Sequence, residues 1–578
     1  MTLLQRCTAA LAAEPPVLGE AGTLRVAALF SRPRPVRGVF PLAHVDARNA
    51  STSSASDAVP QWQEQLLVTV GWAPEGGGAG VLMYALEVFV YTLPAQRAAL
   101  VYVSKLDSTG CGPRTYPRSH LVRLPPQYAH ACSIATSVSA SVLDYFASRA
   151  HWASDASARG PVTSVSLHVL ARAQAAYLFP SSPENPRKRV LNDAALIRWW
   201  QQCLSEVLWR RGNERRGRRG DTPGTRPADD AAPHDAAHAF YLIPGYSRID
   251  SHPLVPLSTG HTERCFAAHA SPREKVDAAD WRYGHPYSTL GACVASAAEL
   301  PPLPLHAHAA EARTPLRSAA PLRQRSLATL IPIFPDDPKG RFMNELCSAA
   351  HGPGHARILS MEHEGAEKPT LAHRDAMNVR KVLDRTDIDA FWERMGFRQE
   401  CSAGNAVGVF VVSFTGVKGR EEESDGAREV RREGAGDAPG EAVGDGPRKG
   451  APPAHPHALP HQTFDDLVTK YLLQDTCDWS SLPHAEALTQ RFYQALERAV
   501  GRRRGAGSDT RVPDAAGACA PPWDAQGHIW SDVAVQALPK DYAASVRPAE
   551  NFRDMHAFGR PPNAAPVRVL SVKRKWRP

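Results

Sequence analysis

The chain has 578 residues, and its 67 lysines and arginines against 59 aspartates and glutamates give a net charge of +8. At roughly 100–200 residues per domain, this length forms one large or two to three ordinary domains. Hydrophobic residues make up 43%, which excludes a wholly disordered chain. The ten cysteines show no CxxC spacing, which excludes zinc ribbons and thioredoxin motifs. The longest apolar stretch, Val81–Leu93, is too short to cross a bilayer, so we expect an intracellular protein without membrane association.

The first third of the chain has the composition of β-strands. Four segments are enriched in Val, Leu, Phe and Tyr: Thr23–Ser31, Gln65–Trp72, Val81–Leu93 and Ala98–Asp107. The glycine-rich connection between the second and third predicts adjacent antiparallel strands. Helical spacing of apolar residues then predicts a helix over Ser133–Ser148, and a further strand follows at Ser164–Ala171.

The best-defined helix begins at Asn192 or Asp193, because either side chain can cap it. Its apolar face is formed by Leu196, Ile197, Trp200, Leu204 and Leu208. The helix leads into Arg210–Arg219, where six of ten residues are arginine. We interpret this run as a solvated loop, and a contact with nucleic acid or a histone tail is the alternative.

Two acidic residues follow an apolar run in the middle of the chain. Leu327–Phe334 predicts a strand that ends at Asp336 and Asp337, and a helix starts near Arg341–Leu346. Adjacent carboxylates fixed by flanking prolines are unfavourable unless they hold a cation or activate an amine. A capping turn for the next helix is the alternative. Thr386–Asp389 predicts a capping box for a further helix.

The rest of the chain is less regular. Gly408–Phe414 predicts a strand, and Lys418–Pro460 has the low-complexity composition of a disordered linker. Two amphipathic helices are predicted at Thr463–Leu473 and Ala487–Val500. The chain ends in a basic tail, Lys573–Arg577.

Two clusters suit a phosphate-bearing ligand. Val103–Gly110 is a strand that ends in a polar glycine-containing turn, and Arg114, Arg118 and Arg123 follow it. Exposed backbone amides and arginines bind phosphate, although a plain hairpin turn fits the spacing equally well. The second cluster, Arg187–Arg189, places three cations ahead of a helix N-terminus, where the helix dipole adds to their charge.

The adjacent tryptophans Trp199 and Trp200 point to different sides of their helix, so at least one lies outside the core. Core packing combined with a protein interface is the alternative to a ligand site. We expect no bound metal, because the closely spaced histidine pairs lack a cysteine or carboxylate partner at ligand spacing. Nucleotide-binding loops, nucleophile elbows and EF-hand loops are absent from the sequence.

Taken together, these segments resemble a known family. Tyr177–Trp200, Leu330–Phe342 and Phe391–Gly404 are similar to the signature blocks of the fungal histone acetyltransferases that modify a core lysine of histone H3, the regulator of Ty transposition type. That family is a structural relative of the CREB-binding-protein acetyltransferases. Phe89–Gly110 resembles the strand and cofactor turn of the same family, and the blocks occur in the same order.

The resemblance implies an α/β fold, with a central mixed β-sheet flanked by helices, of the CREB-binding-protein acetyltransferase type with long disordered insertions. The implied organisation is a core at 1–415 with insertions at about 210–237, 258–277 and 349–385, a disordered linker at 416–460, C-terminal helices packing on the core at 461–505, and a mostly disordered basic tail at 506–578.

The resemblance also implies site residues, with acetyl-CoA as the co-substrate. The implied acetyl-CoA contacts are Leu106, Asp107, Ser108, Arg114, Thr115, Tyr116, Pro117, Arg118, Leu170, Gln174, Arg189, Val190, Leu191 and Trp199. The implied catalytic residues, which line the tunnel for the substrate lysine, are Asp107, Tyr177, Trp200 and Asp337. Asp337 would bind the incoming lysine and relay its proton, or only orient the amine. Lys339 matches a buried lysine that becomes autoacetylated.

The implied function is transfer of an acetyl group from acetyl-CoA to a lysine in the structured part of histone H3. The H3–H4 substrate would be presented by histone chaperones of the nucleosome-assembly and anti-silencing types, in the nucleus. The implied processes are replication-coupled nucleosome assembly and the DNA-damage response. A catalytically silent chromatin scaffold is the alternative. The hypothesis of a nucleic-acid-binding protein is supported only by Arg210–Arg219 and the basic tail, so nucleic acid is not expected as the primary ligand.

Overall fold

The structure, a computed structural model, describes residues 2–13, 21–36, 39–40, 61–75, 80–113, 133–148, 151–152, 162–219, 237–256, 272–288, 326–351, 373–398, 406–415, 458–504 and 529–536. Within these ranges no helix is long and apolar enough to cross a membrane. The same ranges contain no group of three or more His, Cys, Asp or Glu side chains placed to hold a metal ion.

Ten strands form one mixed sheet in the described part of the chain. They are β1 (Gly22–Phe30), β2 (Arg34–Val36), β3 (Gln61–Pro74), β4 (Val81–Leu93), β5 (Ala98–Ser108), β6 (Ser164–Ala171), β7 (Ala237–Leu242), β8 (Trp281–Tyr283), β9 (Gly408–Thr415) and β10 (Trp530–Val535). The strand order is β10-β1-β3-β4-β5-β6-β9-β7-β8, and β2 also pairs with β3. The β5–β6 and β7–β8 pairs are parallel and the others are antiparallel.

Eleven helices flank the sheet within the described ranges. They are α1 (Leu3–Ala12), α2 (Ile134–Ala147), α3 (Asp193–Arg219), α4 (Arg248–Ser251), α5 (Pro272–Ala278), α6 (Leu327–Leu330), α7 (Pro338–His351), α8 (His373–Arg385), α9 (Ile388–Met395), α10 (His461–Val468) and α11 (Leu482–Arg504). A π-helical turn, Thr469–Leu473, continues α10. The predicted mixed sheet flanked by helices is therefore confirmed.

Two predicted strands have their predicted bounds, and one is longer than predicted. β4 and β6 coincide with Val81–Leu93 and Ser164–Ala171. β3 starts earlier than predicted, because the polar residues Gln63 and Glu64 also pair with β4. Gln63 is buried there and donates from Nε2 to the Tyr91 hydroxyl at 2.8 Å. A buried glutamine with a hydrogen-bond partner costs little, so polarity at this end of the segment did not prevent strand formation.

A β-bulge in β5 controls which side chains share a face of the sheet. Tyr102 pairs with Phe89 and Lys105 pairs with Glu87, so Ser104 is left without an opposing residue. Beyond the bulge, Asp107 pairs with Ala85. Because alternate residues of β4 lie on one face, the extra residue moves Tyr102 and Asp107 to the same face. Regular alternation would have separated them.

In the described part of the chain, the buried hydrophobic side chains form one large cluster, two smaller ones and the separate pair Phe240 and Val411. The large cluster packs α1, α2, α3, α10 and α11 against β1 and β3–β6, and it includes a 2.6 Å hydrogen bond between Tyr84 and Ser139. A second cluster joins α6–α9 to Leu242 and Val409 at the other end of the sheet. A third, aromatic cluster forms around Phe334.

The interpretation of Arg210–Arg219 as a loop is wrong. These residues form the last turns of α3, which ends at Arg219. The helix continues through this run because the first two arginines of the run have buried partners. Arg210 donates to Glu206 at 2.8 Å, and Arg211 pairs with Asp144 of α2. Charge runs are usually solvated, but here the packing of α2 against α3 supplies the counter-charges.

Other segments predicted as insertions or tail also contain regular structure. Within the predicted insertion at 349–385, α8 places Val379 and Leu383 in the second cluster. Within the predicted tail, β10 extends the sheet beside β1, where Arg25 and Asp532 form an ion pair at 2.8 Å. The predicted domain boundaries stay predictions.

The predicted capping box before α9 is wrong in its register. Asp387, rather than Thr386, caps α9 by accepting from the backbone of Asp389 and Ala390. Thr386 instead donates its hydroxyl to the carbonyl of Val382 in the preceding helix. A threonine hydroxyl that is already used by the previous helix cannot also cap the next one.

We expect the substitution Asp144→Ala to destabilise the fold by about 2–3 kcal/mol, less than for a fully buried pair, because it leaves two partly buried guanidinium groups without their shared carboxylate. Asp144 lies between Arg6 of α1 and Arg211 of α3. Urea unfolding followed by circular dichroism measures the loss. Asp466→Ala is the matched control, since Asp466 forms an exposed pair with Lys470. Equal stability of the two variants would contradict the buried-network interpretation.

Candidate functional site

The carboxylate of Asp107 at the end of β5 accepts five hydrogen bonds. Its Oδ2 accepts from the three consecutive backbone N–H groups of residues 177–179, at 2.7, 2.9 and 3.1 Å. Its Oδ1 accepts from the backbone N–H of Ser108 at 2.8 Å and from Lys188 Nζ at 2.7 Å. Both oxygens of this buried carboxylate are therefore occupied by protein donors, which makes it an anchor between the strand and the 177–188 segment.

The backbone on both sides of this anchor is in close contact. Lys188 also donates from Nζ to Ser182 Oγ at 2.6 Å. Asn185 donates to the carbonyl of Thr109 at 2.9 Å, which adds a second connection between the two segments. Gly110 has a positive φ of 78°, and a Cβ there would lie 2.5 Å from the backbone nitrogen of Lys188. Only glycine permits this approach.

The structure brings the two predicted phosphate-binding clusters together. Lys188 joins the strand end at Leu106–Ser108 to the segment Arg189–Leu191, in which Arg189 and Val190 are exposed. The N-terminus of α3 follows directly, and Asn192 caps it by accepting from the Ala195 N–H at 2.9 Å. An exposed cation beside a helix N-terminus suits an anionic ligand.

The other predicted cofactor residues do not form one cluster. Trp199 is half-buried and packs edge-on against Trp200 with ring centroids 4.8 Å apart. Leu170 packs against the second core cluster, and Gln174 is exposed. The remaining predicted contacts, Arg114, Thr115, Tyr116, Pro117 and Arg118, lie outside the described residues.

Tyr177 and Trp200 occupy different environments. The Tyr177 hydroxyl donates to the carbonyl of Arg172, and burial raises the pKa of this phenol. Trp200 is buried in the large core cluster. The segment that follows Tyr177 is supported by the C-terminal part of the chain, where Trp479 packs edge-on against Phe179 at 4.8 Å. The same tryptophan donates its backbone N–H to Pro180 at 3.3 Å.

Asp337 and Lys339 form a buried ion pair. Lys339 Nζ donates to Asp337 Oδ2 at 2.6 Å, and the Lys339 backbone N–H donates to Oδ1 at 2.9 Å. The Asp337 side chain is inaccessible to solvent and that of Lys339 is 9% exposed. Lys339 is therefore not an ordinary surface lysine. The sequence analysis gave two alternatives for Asp337, a carboxylate that holds a cation and a cap for the next helix. The structure shows both, because Asp337 pairs with the Lys339 ammonium and also caps the first turn of α7.

The predicted strand before these carboxylates is wrong. Leu327–Leu330 forms the short helix α6, and the chain then runs as an irregular segment to Pro338. Asp336 adopts a positive φ of 57°, which turns its side chain outward while Asp337 turns inward. An aspartate tolerates this left-handed conformation better than most residues, so the turn requires no glycine.

Phe334 connects this pair to the sheet. Its ring stacks on Tyr102 with centroids 4.4 Å apart, and it lies 5.6 Å from Tyr91 and 5.4 Å from His168. Lys339 Nζ lies 5.2 Å from the same ring, in a cation–π contact.

Tyr102 is close to both the Asp337–Lys339 pair and Tyr177. Burial raises the pKa of its phenol well above the usual value, and the charge of Asp337 raises it further. The nearby Tyr177 acts in the same direction. Tyr102 therefore lies within electrostatic reach of both Asp337 and Tyr177, on the same face of the sheet as Asp107.

Three residues of the site escaped the sequence analysis, Tyr102, His168 and His285, and the structural role of a fourth, Lys188, was not predicted. Lys188 was noticed as one of three basic residues, but its side chain turns inward while that of Arg189 is exposed. Tyr102 was part of a recognised strand, and the bulge that places it beside Asp107 has no sequence signal. The two histidines come from segments far apart in the chain.

His285 is buried, His168 is partly buried, and both imidazoles are neutral near pH 7. Burial lowers the pKa of His168 well below its usual value and lowers that of His285 to about 3. The charge of Lys339 is the second, smaller cause of the lowered pKa of both histidines. His168 forms a 2.8 Å hydrogen bond with Ser166. Neutral imidazoles beside a lysine avoid the repulsion that two cations would create.

Comparison with known proteins identifies the class. Residues 130–438, just over half of the chain, match the histone acetyltransferase KAT11-type domain, and the chain belongs to that family. The chain is 27% identical over 338 residues to "Histone acetyltransferase rtt109" of Aspergillus flavus, covering 58% of this chain and 45% of the relative. It is 23% identical over 344 residues to "Histone acetyltransferase rtt109" of Schizosaccharomyces pombe, covering 59% of each.

The alignments span about half the length of these curated relatives. A crystal structure of Rtt109 from Aspergillus fumigatus is also similar, with 21% identity, coverage of 87% of this chain and 96% of that chain, and a TM-score of 0.48.

We expect the stability of the protein to fall as the pH drops below about 6.5, the pKa of an unfolded histidine. Between that pH and about 3, the unfolded chain binds a proton at position 285 that the folded protein does not. The free energy of unfolding therefore decreases on acidification, by up to about 1.4 kcal/mol per pH unit for each such histidine.

Urea unfolding at several pH values measures this slope. His285→Asn should make the pH dependence shallower. An unchanged slope in His285→Asn would contradict the neutral buried state.

Proposed function

We propose that this chain is a histone acetyltransferase that transfers an acetyl group from acetyl-CoA to a lysine in the structured part of histone H3. The family match over residues 130–438 supports the chemistry. The observation that carries the proposal is the buried Asp337–Lys339 pair beside an aromatic cluster, since it places a carboxylate and an amine in a desolvated setting.

The reaction requires a neutral amine. At pH 7, deprotonating a lysine of ordinary pKa costs about 4.6 kcal/mol. Aromatic surroundings desolvate the ammonium and favour the neutral form, and a carboxylate can accept the proton. The amine nitrogen then forms a bond to the acetyl carbon while the C–S bond of the thioester breaks. The ammonium proton that is lost before the attack passes to Asp337 or to water. The second proton, which the nitrogen loses as the amide forms, passes to the leaving sulfur, so that coenzyme A departs as its thiol.

In this structure the ammonium of Lys339 forms an ion pair with the Asp337 carboxylate. Because its ammonium lies 2.6 Å from Oδ2, a substrate lysine would compete with it for the same carboxylate. We propose that Lys339 is itself acetylated by the enzyme, which removes the competing charge. The amide that results retains one N–H donor for Asp337.

The acetyl-CoA contacts would come from the surface around the Asp107 anchor. Arg189 would contact phosphate, and Val190 and Leu191 would contact the pantetheine chain. Leu106 and Ser108 would border the same ligand at the strand end. We assign Asp107 a positioning role rather than a catalytic one, because its oxygens already accept five hydrogen bonds. Tyr177 and Trp200 would border the lysine path.

The physiological substrate would be an H3–H4 complex presented by nucleosome-assembly-type and anti-silencing-type chaperones in the nucleus. The modification would serve replication-coupled nucleosome assembly and the DNA-damage response. The net charge of +8 suits the acidic surface of a chaperone complex.

The test is incubation with radiolabelled acetyl-CoA and H3–H4, with and without each chaperone type, followed by mass spectrometry of the acetylated lysines. We expect label in the structured part of H3, and more of it with a chaperone. Binding of the histone complex without incorporation of label would favour the alternative, a catalytically silent chromatin scaffold.

We expect Asp337→Asn to remove most turnover while the protein remains folded. An amide has nearly the same shape but cannot accept a proton or neutralise an ammonium. Steady-state kinetics at saturating histone–chaperone complex gives kcat, and circular dichroism reports folding. Asp336→Asn is the matched control, because that neighbouring carboxylate is exposed. Near-normal kcat in Asp337→Asn would remove the residue from the mechanism.

We expect Lys339→Gln to retain more activity than Lys339→Arg. Glutamine resembles acetyllysine in lacking charge, whereas arginine keeps a cation on Asp337. Initial rates of histone acetylation compare the two variants, and Lys381→Arg serves as the exposed-lysine control. Intact-mass analysis of the active enzyme should also find an acetyl group at position 339. Unmodified Lys339 in fully active enzyme would refute autoacetylation.

A further inference from the structure

An ion pair between Glu87 of β4 and Lys105 of β5 lies on the face of the sheet that carries the site. Lys105 Nζ donates to Glu87 Oε2 at 2.7 Å, and the two residues are opposite each other in the antiparallel register. The Glu87 side chain is 5% exposed and that of Lys105 is 21% exposed. The carboxylate is therefore buried, and the lysine is the more accessible partner. Neither residue takes part in the steps of the proposed acetyl transfer.

The bulge at Ser104 determines where this lysine points. Along β5, the residues on the face of the site are Tyr102, Lys105 and Asp107, in that order. Without the extra residue, Lys105 would share the face of Val103, which is buried in the large core cluster. Successive residues on one face of a strand are about 7 Å apart, so Lys105 lies about one such step from each of its two neighbours.

The two neighbours of Lys105 on this face belong to opposite ends of the site. Asp107 anchors the backbone that borders the proposed acetyl-CoA surface. Tyr102 stacks on Phe334, which packs beside the Asp337–Lys339 pair. The lysine therefore lies on the sheet between the proposed cofactor surface and the proposed catalytic carboxylate. A substrate lysine that approaches the thioester from the Asp337 side passes over it.

Three ion pairs carry the charge around Lys105. They are Asp107–Lys188, Glu87–Lys105 and Asp337–Lys339. Burial raises the pKa of Tyr91 on the same face, and the charges of Asp337 and Glu87 raise it further, so both carboxylates are within electrostatic reach of one phenol. The other titratable or charged groups that face this region are Tyr102, His168, Tyr177, Arg34, Arg172, His285 and Asp336.

We propose that Lys105, held by Glu87, is a further residue of the acetyl-transfer reaction, whose ammonium faces the substrate lysine and favours its neutral amine. The inference depends on the proposed function, since it concerns the same substrate and the same reaction. Two nearby cations repel each other, so the incoming ammonium loses its proton more easily to Asp337 or to water. Glu87 is a positioning residue, because it acts through the lysine that it holds on the sheet.

The test is the pH dependence of the single-turnover rate with saturating acetyl-CoA and chaperone-bound H3–H4. We expect Lys105→Met to move the midpoint of the profile up by about one pH unit, because a cation close to the amine is removed. Lys105→Arg keeps the cation and should keep the wild-type midpoint. Glu87→Gln removes a negative charge from the same place and should move the midpoint down.

The opposite directions of the two shifts distinguish this role from a structural one. An ion pair that only joins β4 to β5 would lower Tm in both variants and leave the midpoint where it is. Lys470→Met is the control, because Lys470 pairs with Asp466 and its side chain is 60% exposed. Unchanged midpoints, or shifts in the same direction, would overturn the proposal. The isosteric Glu87→Gln still decides the question if Lys105→Met fails to fold.

A binding measurement tests the inference without turnover. Failure of the wild-type protein to acetylate histone would refute the proposed function, and this measurement would still decide the role of Lys105. The probes are n-butylammonium, which has the structure of a lysine side chain, and 1-butanol, its neutral isostere, each titrated by NMR into the full chain with coenzyme A.

We expect Lys105→Met to strengthen binding of the cation relative to the alcohol by about tenfold, and Glu87→Gln to weaken it. Equal ratios of the two Kd values in all three proteins would contradict the inference.

Discussion

The arrangement of the site depends on the hydrogen bonds to Asp107. A buried carboxylate is costly unless its oxygens are fully satisfied, and this one accepts four backbone N–H groups and one lysine. Because the donors come from residues 177–179 and from Lys188, the carboxylate fixes a segment that has almost no regular structure of its own. Arg189–Leu191 and the start of α3 then follow in defined positions. Trp479 supports the same segment from its other side.

At the proposed lysine-binding end of the site, a buried carboxylate is likewise satisfied by protein donors. Asp337 and Lys339 neutralise each other in a setting closed by the aromatic ring of Phe334. Such a pair is stable only while both partners are charged, so a change to either one alters the other. The bulge at Ser104 brings Tyr102, which stacks on Phe334, to the same face as Asp107. This one β-bulge therefore places Asp107 on the same face of the sheet as Tyr102, and Tyr102 stacks on the phenylalanine that packs beside Asp337 and Lys339.

Elements rich in apolar and β-branched residues could be predicted from the sequence, as β4 and β6 illustrate. The end of α3 could not, because its arginines have no apolar period and their acidic partners are Glu206 of the same helix and Asp144 of α2. The segment Tyr177–Trp200 was recognisable as a block, yet the inward direction of Lys188 follows from tertiary contact with Asp107. His168 and His285 are separated by more than a hundred residues in the chain, and only the tertiary fold brings both to the pocket that Leu100 also lines.

The central claim is that the Asp107–Lys188 contact shapes the acetyl-CoA site. Calorimetric titration of acetyl-CoA into the wild-type protein, Asp107→Asn, Lys188→Met and the double variant tests it most directly, because a double-mutant cycle isolates the pair. The account predicts that each single substitution weakens the Kd by about tenfold or more, and that the double variant is no weaker than the worse single one. Unchanged Kd values, or losses that simply add, would contradict it.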